Sequence, residues 1–132
     1  MQGEASDAEL IAAATALVGE FRPSANCSAG GVAAALRSRS GTLYTGICID
    51  TACSMGFCAE HAAVAEMLKA REAEVVVIVA VTTEGIIAPC GRCRELLWQI
   101  HPFNRGTRVI VAPGQVTTLA ELLPQPWCAP EA

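Results

Sequence analysis

The chain has 132 residues, of which 52% are hydrophobic and 17% charged, and its formal net charge is -4. This length fits one compact domain with its own apolar core, so we expect residues 1–132 to form a single domain. The acidic balance, without a run of lysine or arginine, argues against a nucleic-acid backbone as the main partner, because phosphate binding requires clustered basic residues.

The first part of the chain predicts one helix followed by two strands. Residues 6–20 have an amphipathic helical pattern, and Ser6 and Glu9 have the spacing of an N-terminal capping box. The segment "FRPSANCSAGG" is small, polar and interrupted by proline, which indicates a loop. Residues 32–36 and 43–49 are typical of strands, and "RSRSG" between them is typical of a hairpin turn.

The second part of the chain alternates helices and strands. The segment "FCAEHAAVAEMLKAREA" favours a helix, and "EVVVIVAVTT" has the continuous apolar pattern of a strand covered on both faces. Then come "PCGRCRELLWQI", helical from about Gly91, the strand "TRVIVAP" and the short helix "TLAELLP". This order predicts an α/β fold of three layers, α/β/α, in which parallel crossovers place helices on both faces of one mixed sheet.

No segment is expected to enter a membrane or to direct export. The first ten residues, "MQGEASDAEL", are acidic and polar, unlike a secretory signal. The longest apolar run, 75–81, is too short to span a bilayer. We therefore expect a soluble, cytoplasmic protein with no membrane partner.

The chain contains seven cysteines, and three of them are placed for shared chemistry. An odd number in a reducing compartment weakens a disulfide framework and favours metal or catalytic use for some of them. Cys58 lies at the start of one predicted helix, and Cys90 and Cys93 lie at the start of the next. Helix N-termini stabilise thiolates, and adjacent helices that follow adjacent strands would bring the three sulfurs to one point.

Three thiolates on Zn²⁺ would leave a fourth tetrahedral position for water, which is the arrangement of a catalytic site. Glu60 follows Cys58 by two residues and is placed to take a proton from that water and deliver it to a leaving group. Three thiolates give the centre a net negative charge, which nearby cations should offset. The candidates are His61, Arg92 and Arg94.

Two other interpretations of these cysteines stay open. Cys58 and His61 have C-x-x-H spacing, and with Cys90 and Cys93 they would form a closed structural zinc site in a binding module. Alternatively, "PCGRC" is a C-x-x-C redox motif at a strand-to-helix turn, as in thioredoxin-like proteins. The redox hypothesis leaves "CAE" without a role.

The segment "CAE", followed about thirty residues later by "PCGRC", resembles the zinc signature of the cytidine deaminase family. The segments "LYTG", "PCGRCR" and "LLPQPW" add to a resemblance with the small enzymes that act on free nucleosides, and particularly with blasticidin S deaminases. The resemblance extends from about residue 8 to residue 128, which is nearly the whole chain.

The resemblance implies a cytidine deaminase-like domain with one mixed five-stranded sheet. It implies that Cys58, Cys90 and Cys93 are the Zn²⁺ ligands, and that Glu60 is the proton shuttle. The implied reaction converts the 4-amino group of a cytosine nucleoside, or of a cytosine-containing analogue, to a carbonyl and releases ammonia. Trp127 matches a C-terminal aromatic that closes an active site, often a neighbour's, which implies a homotetramer.

Several positions depart from the family's pattern near the expected substrate. The Gly-x-Asn-x-Glu segment that holds the ribose reads "GICID" here, so Cys48 and Asp50 replace Asn and Glu as substrate contacts. Gly30 stands where an aromatic residue packs on the pyrimidine, and His61 stands where arginine is usual. Arg92 is a further candidate substrate contact. The substrate therefore stays open among cytidine, deoxycytidine, blasticidin S and another aminated ring.

Overall fold

The computed structural model describes residues 2–128 and 130, and within this part of the chain seven strands form one sheet. In chain order the elements are α1 (Gln2–Leu17), β1 (Phe21–Ser24), β2 (Cys27–Ser38), β3 (Leu43–Thr51), α2 (Ala59–Lys69), β4 (Val75–Thr82), β5 (Gly85–Ile87), α3 (Gly91–Ile100), a 3-10 helix (Pro102–Gly106), β6 (Arg108–Ala112), β7 (Gln115–Thr118) and α4 (Leu119–Leu122).

The sheet has a five-stranded core in the order β3-β2-β4-β6-β7. β2 runs antiparallel to both β3 and β4, and β4 runs parallel to β6. β3, β4 and β6 therefore point the same way, joined by the predicted helical crossovers. The mixed five-stranded core is confirmed. β1 and β5 are short additions that pair with β2 and β4.

Helices cover both faces of the sheet. On one face, Leu10 and Ala14 of α1 are fully buried against alternate residues of the central strands. On the other face, Met67 of α2, Leu97 of α3 and Leu119 of α4 are fully buried against the intervening residues. Full burial of a side chain of this size contributes about 1.5–3 kcal/mol. The predicted α/β/α layering is confirmed.

Two predictions for the first part of the chain are wrong. α1 begins at Gln2, so Ser6 lies inside the helix and is not its N-cap. The helix extends to Gln2 because the residues before Ser6 contain no proline that would end it. The predicted loop "FRPSANCSAGG" contains β1 and the start of β2, paired as a hairpin through Phe21 with Ala29 and Ser24 with Cys27. β1 tolerates Pro23 because it is a short, exposed edge strand.

Three short strands were not predicted from the residue pattern. β1, β5 and β7 contain only three or four residues each, which is too few for a recognisable alternation. The remaining strands and the helices α2, α3 and α4 lie where the sequence predicted them. No helix in the described part of the chain has both the length and the apolar character needed to cross a membrane.

A glycine on β3 lets α2 approach the sheet closely. A Cβ atom at Gly46 would come within 2.5 Å of Ala62 Cβ and Ala63 N on α2. Any larger residue at this position would push the helix outward. Gly46 therefore helps to place the start of α2, with Cys58, over the end of the sheet.

Candidate active site

The first turns of α2 and α3 lie at the same edge of the sheet, because β3 and β4 point the same way. Cys58 is the N-cap residue of α2, and Cys90 is the N-cap residue of α3. The loop before Cys58 is fixed by a two-way backbone contact: Ile49 N donates to Phe57 O at 3.0 Å, and Phe57 N donates to Ile49 O at 2.9 Å. The start of α2 is therefore held by backbone hydrogen bonding, and the residue before Cys90 is held by the Arg94 side chain, whose Nε donates to Pro89 O.

The structure brings the three selected sulfurs together. Cys58 Sγ lies 3.5 Å from Cys90 Sγ, and Cys90 Sγ lies 3.6 Å from Cys93 Sγ. All three sulfurs lie within 4.8 Å of one another. Three thiolates bound to one Zn²⁺ at about 2.3 Å would be about 3.8 Å apart, so the spacing and the soft donor set both fit zinc.

His61 does not complete a four-ligand cluster. Its Nδ1 lies 3.6 Å from Cys93 Sγ. Among the described residues, however, the group of ligand atoms within 4.8 Å of one another contains Cys58, Cys90 and Cys93 alone. This geometry favours an open three-ligand site over the closed structural site.

The three thiols differ in how readily they ionise. Burial raises the pKa of Cys93 well above its usual range. Burial, with the hydrogen bond to Cys90, also raises the pKa of Cys58. Burial opposes ionisation of Cys90 as well, but hydrogen bonds from the Cys93 backbone N–H and from neighbouring thiols lower its pKa overall. A cation at the cluster is therefore what would allow all three groups to be thiolates at neutral pH.

Glu60 lies in the first turn of α2 and is only 4% exposed. Burial raises the pKa of its carboxyl group, offset in part by its own backbone N–H and by the Cys93 thiol. A carboxyl group with a raised pKa can both accept and return a proton near neutral pH.

A cavity of about 320 Å³ opens beside the cluster. Its wall contains most of the residues selected from the sequence, which are Cys48, Asp50, Cys58, Glu60, Cys90 and Arg92. Cys93 is fully buried. The cavity size lies within the range of roughly 300–1,000 Å³ that is typical of small-molecule sites.

Cys48 and Asp50 contribute differently to this wall. Cys48 is 6% exposed, and its Sγ accepts a hydrogen bond from Val32 N at 3.2 Å. The same sulfur lies 3.8 Å from Asp50 Oδ2. Because its sulfur is already engaged, Cys48 mainly closes the cavity wall. Asp50 is exposed and lines both the cavity and a neighbouring surface depression.

The aromatic side of the cavity comes from a different position than in the family's pattern. Gly30 has φ +84, and a Cβ atom there would collide with the carbonyl oxygen of Gly19. No side chain fits at Gly30 without a backbone change. Phe57, Val32 and Ile87 instead form apolar parts of the wall. In the sequence, the signal for this place of Phe57 in the wall is its position next to Cys58.

The two arginines near the cysteines have separate contacts. Arg92 lines the cavity. Arg94 is bound to the backbone: its Nε donates to Pro89 O at 2.8 Å and its Nη1 donates to Leu122 O at 3.1 Å. Burial, and then the charge of Arg92, lower the pKa of His61. Arg92 therefore stays a candidate for substrate contact or charge compensation, whereas Arg94 connects two segments of backbone.

Trp127 lies outside this cavity. Its side chain is 62% exposed, and its backbone N donates to Glu95 Oε1 at 2.9 Å. The expectation that it closes an active site, often a neighbour's, stays a prediction.

Comparisons with known proteins identify the family. The cytidine deaminase of Sporosarcina psychrophila is 35% identical over 98 residues, covering 70% of this chain and 71% of that protein. No protein-family model matches the chain. The match in sequence therefore rests on individual relatives.

Solved structures agree with this relationship. The cytidine deaminase of Burkholderia pseudomallei is 30% identical with a TM-score of 0.74, covering 91% of this chain and 98% of that one. The enzyme of Mycobacterium leprae is 29% identical with a TM-score of 0.74, covering 89% and 97%. The enzyme of Mycobacterium tuberculosis, at 24% identity, a TM-score of 0.77 and coverage of 92% and 97%, supports the fold alone.

The fold and the relatives together define a hydrolase that acts on carbon–nitrogen bonds of cyclic amidines, as predicted. The chain belongs to the cytidine deaminase family. This membership argues against the thioredoxin-like redox interpretation of "PCGRC".

Proposed function

We propose that the protein is a zinc-dependent deaminase that hydrolyses the 4-amino group of a cytosine nucleoside or cytosine-containing analogue and releases ammonia. The observation that carries the proposal is the cavity in which Cys58 and Cys90 lie beside the buried carboxyl group of Glu60. Residues 1–132 act as one deaminase domain. The membership in the cytidine deaminase family supports the reaction class.

Cys58, Cys90 and Cys93 would hold the zinc ion. When bound, Zn²⁺ would supply Lewis acidity and lower the pKa of a water molecule to about 7. The positions of Cys58 and Cys90 at the N-termini of α2 and α3 favour their thiolate forms through the helix dipole. His61, with Nδ1 3.6 Å from Cys93 Sγ, is better placed than Arg94 to reach a thiolate, and because its pKa is lowered it would act as a neutral hydrogen-bond donor rather than as a cation.

Glu60 is the proton carrier in this proposal. It faces the same cavity as the cysteines, and its raised pKa suits it to alternate between carboxylate and carboxylic acid. It takes a proton from the attacking water and passes it to ring nitrogen N3. It then takes the second proton from the hydroxyl group now on C4 and passes it to the amino group, which leaves as ammonia while the C4 hydroxyl becomes a carbonyl. Removing general acid–base catalysis of this kind typically costs about 10²–10⁴-fold in rate.

The ring of the substrate fits the apolar wall, but the sugar contacts differ from those of the family's pattern. Val32, Phe57 and Ile87 offer apolar surface to a flat ring. Cys48 supplies only a weak donor and is already engaged with Val32 N, and Asp50 is shorter than Glu. Loss of two hydrogen bonds would weaken binding by about 1–1.5 kcal/mol each.

The second candidate function follows from the same contacts. Plain cytidine is then a poor substrate relative to a modified cytosine nucleoside, blasticidin S or another aminated ring. The engaged sulfur of Cys48 is the observation that favours this alternative.

The enzyme is also proposed to be a cytoplasmic homotetramer with shared active sites. The low charge content of 17%, and the exposed side chains of Phe21, Met55 and Trp127, support burial of surface between subunits. Light scattering at micromolar concentration tests this assembly, and a monomer would overturn it.

An ammonia-release screen tests the function. The substrates are cytidine, deoxycytidine, blasticidin S, free cytosine and amino-triazine or purine analogues, each also assayed with Glu60→Gln as a blank. Release from a cytosine-containing compound by the wild type, but not by the variant, is expected. No release from any cytosine compound would overturn the proposal. If cytidine is the best substrate, Cys48 and Asp50 do not select against plain cytidine.

A further inference from the structure

The helix that carries Cys93 also contacts the segment 123–128, called the arm below. The arm follows α4 and includes Trp127. Two neighbouring residues of α3, Arg94 and Glu95, make hydrogen bonds to the backbone at the two ends of this segment. Neither contact serves the chemistry proposed for Cys58, Cys90, Cys93 and Glu60.

Arg94 fixes the residue before the arm. Its Nη1 donates to Leu122 O at 3.1 Å. Its Nε donates to the carbonyl oxygen of Pro89, the residue before Cys90, at 2.8 Å. A planar guanidinium that bonds two backbone carbonyls in this way holds them at a defined separation. The start of the arm is therefore connected to the loop that carries the first cysteine of α3.

Glu95 fixes the far end of the arm. Its Oε1 accepts a hydrogen bond from Trp127 N at 2.9 Å, and its Oε2 accepts one from Gln99 Nε2 at 3.1 Å. The contact with Gln99, one turn further along α3, uses the second carboxylate oxygen and leaves Oε1 to Trp127 N. The Trp127 side chain is 62% exposed, so little packing within this chain determines its direction.

We propose that Glu95 is a positioning residue that holds the arm on α3, so that the Trp127 ring is presented to close the substrate cavity of a neighbouring subunit in the proposed homotetramer. The inference rests on the proposed role of Trp127 in closing a cavity. Cys93 precedes Glu95 by two residues on the same helix, so the metal site and the arm share one rigid support. A carboxylate that binds a backbone N–H directs the ring without touching the substrate.

The test compares Glu95→Ala and Glu95→Gln with the matched control Gln99→Ala in the full-length, zinc-loaded enzyme. The measurements are hydrogen exchange at the Trp127 amide, KM and kcat with the best substrate found, and zinc per chain. Loss of one charge-assisted hydrogen bond should speed exchange of the Trp127 amide about tenfold in Glu95→Ala. KM should rise about fivefold with kcat within about twofold, because uniform binding is lost. Glu95→Gln keeps an acceptor oxygen, so it should restore most of the protection of the Trp127 amide and most of the wild-type KM. Gln99→Ala should resemble the wild type.

The outcomes separate this inference from the proposed function. Unchanged exchange at Trp127 in Glu95→Ala would overturn the positioning role, and so would zinc loss in that variant, which would indicate a structural role for Glu95 in α3. If Trp127→Ala leaves KM unchanged while Glu95→Ala still speeds amide exchange, the contact stands and the proposed role of Trp127 in closure fails.

Discussion

Asn104 and Glu60 are both buried polar side chains, but they lie at opposite ends of the sheet and are satisfied differently. Asn104 is 0% exposed: its Oδ1 accepts from Val75 N at 2.8 Å, and its Nδ2 donates to Ala73 O and Leu97 O at 3.0 Å each. Glu60 is 4% exposed, faces a cavity and has a pKa raised by burial.

The difference shows how the fold separates stability from chemistry. At the Asn104 end, Thr107 Oγ1 also donates to Val75 O at 2.7 Å, so the start of β4 is fixed by a satisfied network. Buried polar networks that are fully satisfied rigidify a fold, whereas titratable groups with perturbed pKa values beside a cavity are typical of functional sites. At the Glu60 end, the thiols and the carboxyl group are therefore available for a metal and a substrate.

The largest effect is expected at the cysteine cluster. Cys90→Ala removes the sulfur that lies 3.5 Å from Cys58 Sγ and 3.6 Å from Cys93 Sγ, so the variant should lose bound zinc and all deaminase activity. Metal analysis and ammonia release measure the two effects. Cys128→Ala, at an exposed cysteine outside the cluster, is the matched control and should retain both. A Cys90→Ala enzyme that keeps its zinc would remove this residue from the ligand set.

Glu60→Gln tests the proton carrier with little change in shape. The variant should keep its fold and its zinc but lose about 10²–10⁴-fold in kcat, because an amide cannot transfer the proton. Glu66→Gln, on the exposed face of the same helix, is the control and should be close to wild type. Near-normal turnover in Glu60→Gln would exclude the proposed role.

Asn104→Ala tests the other side of the comparison. It leaves Val75 N and the carbonyl groups of Ala73 and Leu97 without these partners, so the free energy of unfolding should fall by about 3 kcal/mol. Zinc content and kcat of the folded variant should stay near wild type, since Asn104 lies away from the cavity wall. Denaturant unfolding measures the stability, and Asn26→Ala, at an exposed position, is the control. A loss of kcat without loss of stability would show that the Asn104 end of the sheet contributes to the chemistry at the Glu60 end.

Cys48→Asn sharpens the account of the substrate. An amide at this position can both donate and accept hydrogen bonds, so kcat/KM for cytidine should rise about fivefold relative to the wild type. The comparison of cytidine with the best substrate of the screen gives the change in preference. Cys53→Asn, at an exposed cysteine of the next loop, is the control. An unchanged preference would mean that position 48 does not select the sugar.

The smallest effect is expected from Glu72 near the Asn104 end. Hydrogen bonds from Tyr44 OH and then from Ser40 hold the pKa of Glu72 below its ordinary value of 4.5. The ionised form is therefore favoured by folding, and its contribution is present above pH 4.5 and lost as the pH falls through the lower folded value. Glu72→Gln should lower stability at neutral pH, and the difference from wild type should shrink in acid. Urea unfolding at neutral pH and in acid measures the difference in stability between Glu72→Gln and the wild type. An equal difference under both conditions would contradict a lowered pKa of Glu72.

The sequence predicted the cysteine cluster because its determinants are local. Cys58, Cys90 and Cys93 lie at the N-termini of two helices whose positions follow from composition and from the strands before them. The same reasoning located the central strands, whose apolar runs are long. It overlooked β5, because three residues carry no periodic signal.

The substrate wall was less predictable because its contacts are not local. The bond from Val32 N to Cys48 Sγ joins β2 to β3 close to a register shift between Ala29 and Ala33. No pattern within either segment indicates that irregularity. The position of Phe57 likewise depends on its backbone pairing with Ile49. Such contacts follow from strand register, which single-segment patterns do not contain.

The most direct test of the central claim is a zinc-removal and reconstitution experiment on the wild-type protein. Zinc per chain and ammonia release are measured on one preparation before chelation, after chelation and after zinc is added back. The account predicts about one zinc per chain held by the three cysteines, with activity lost on removal and regained on return. Full ammonia release from the metal-free protein, or a purified active protein without bound transition metal, would contradict it.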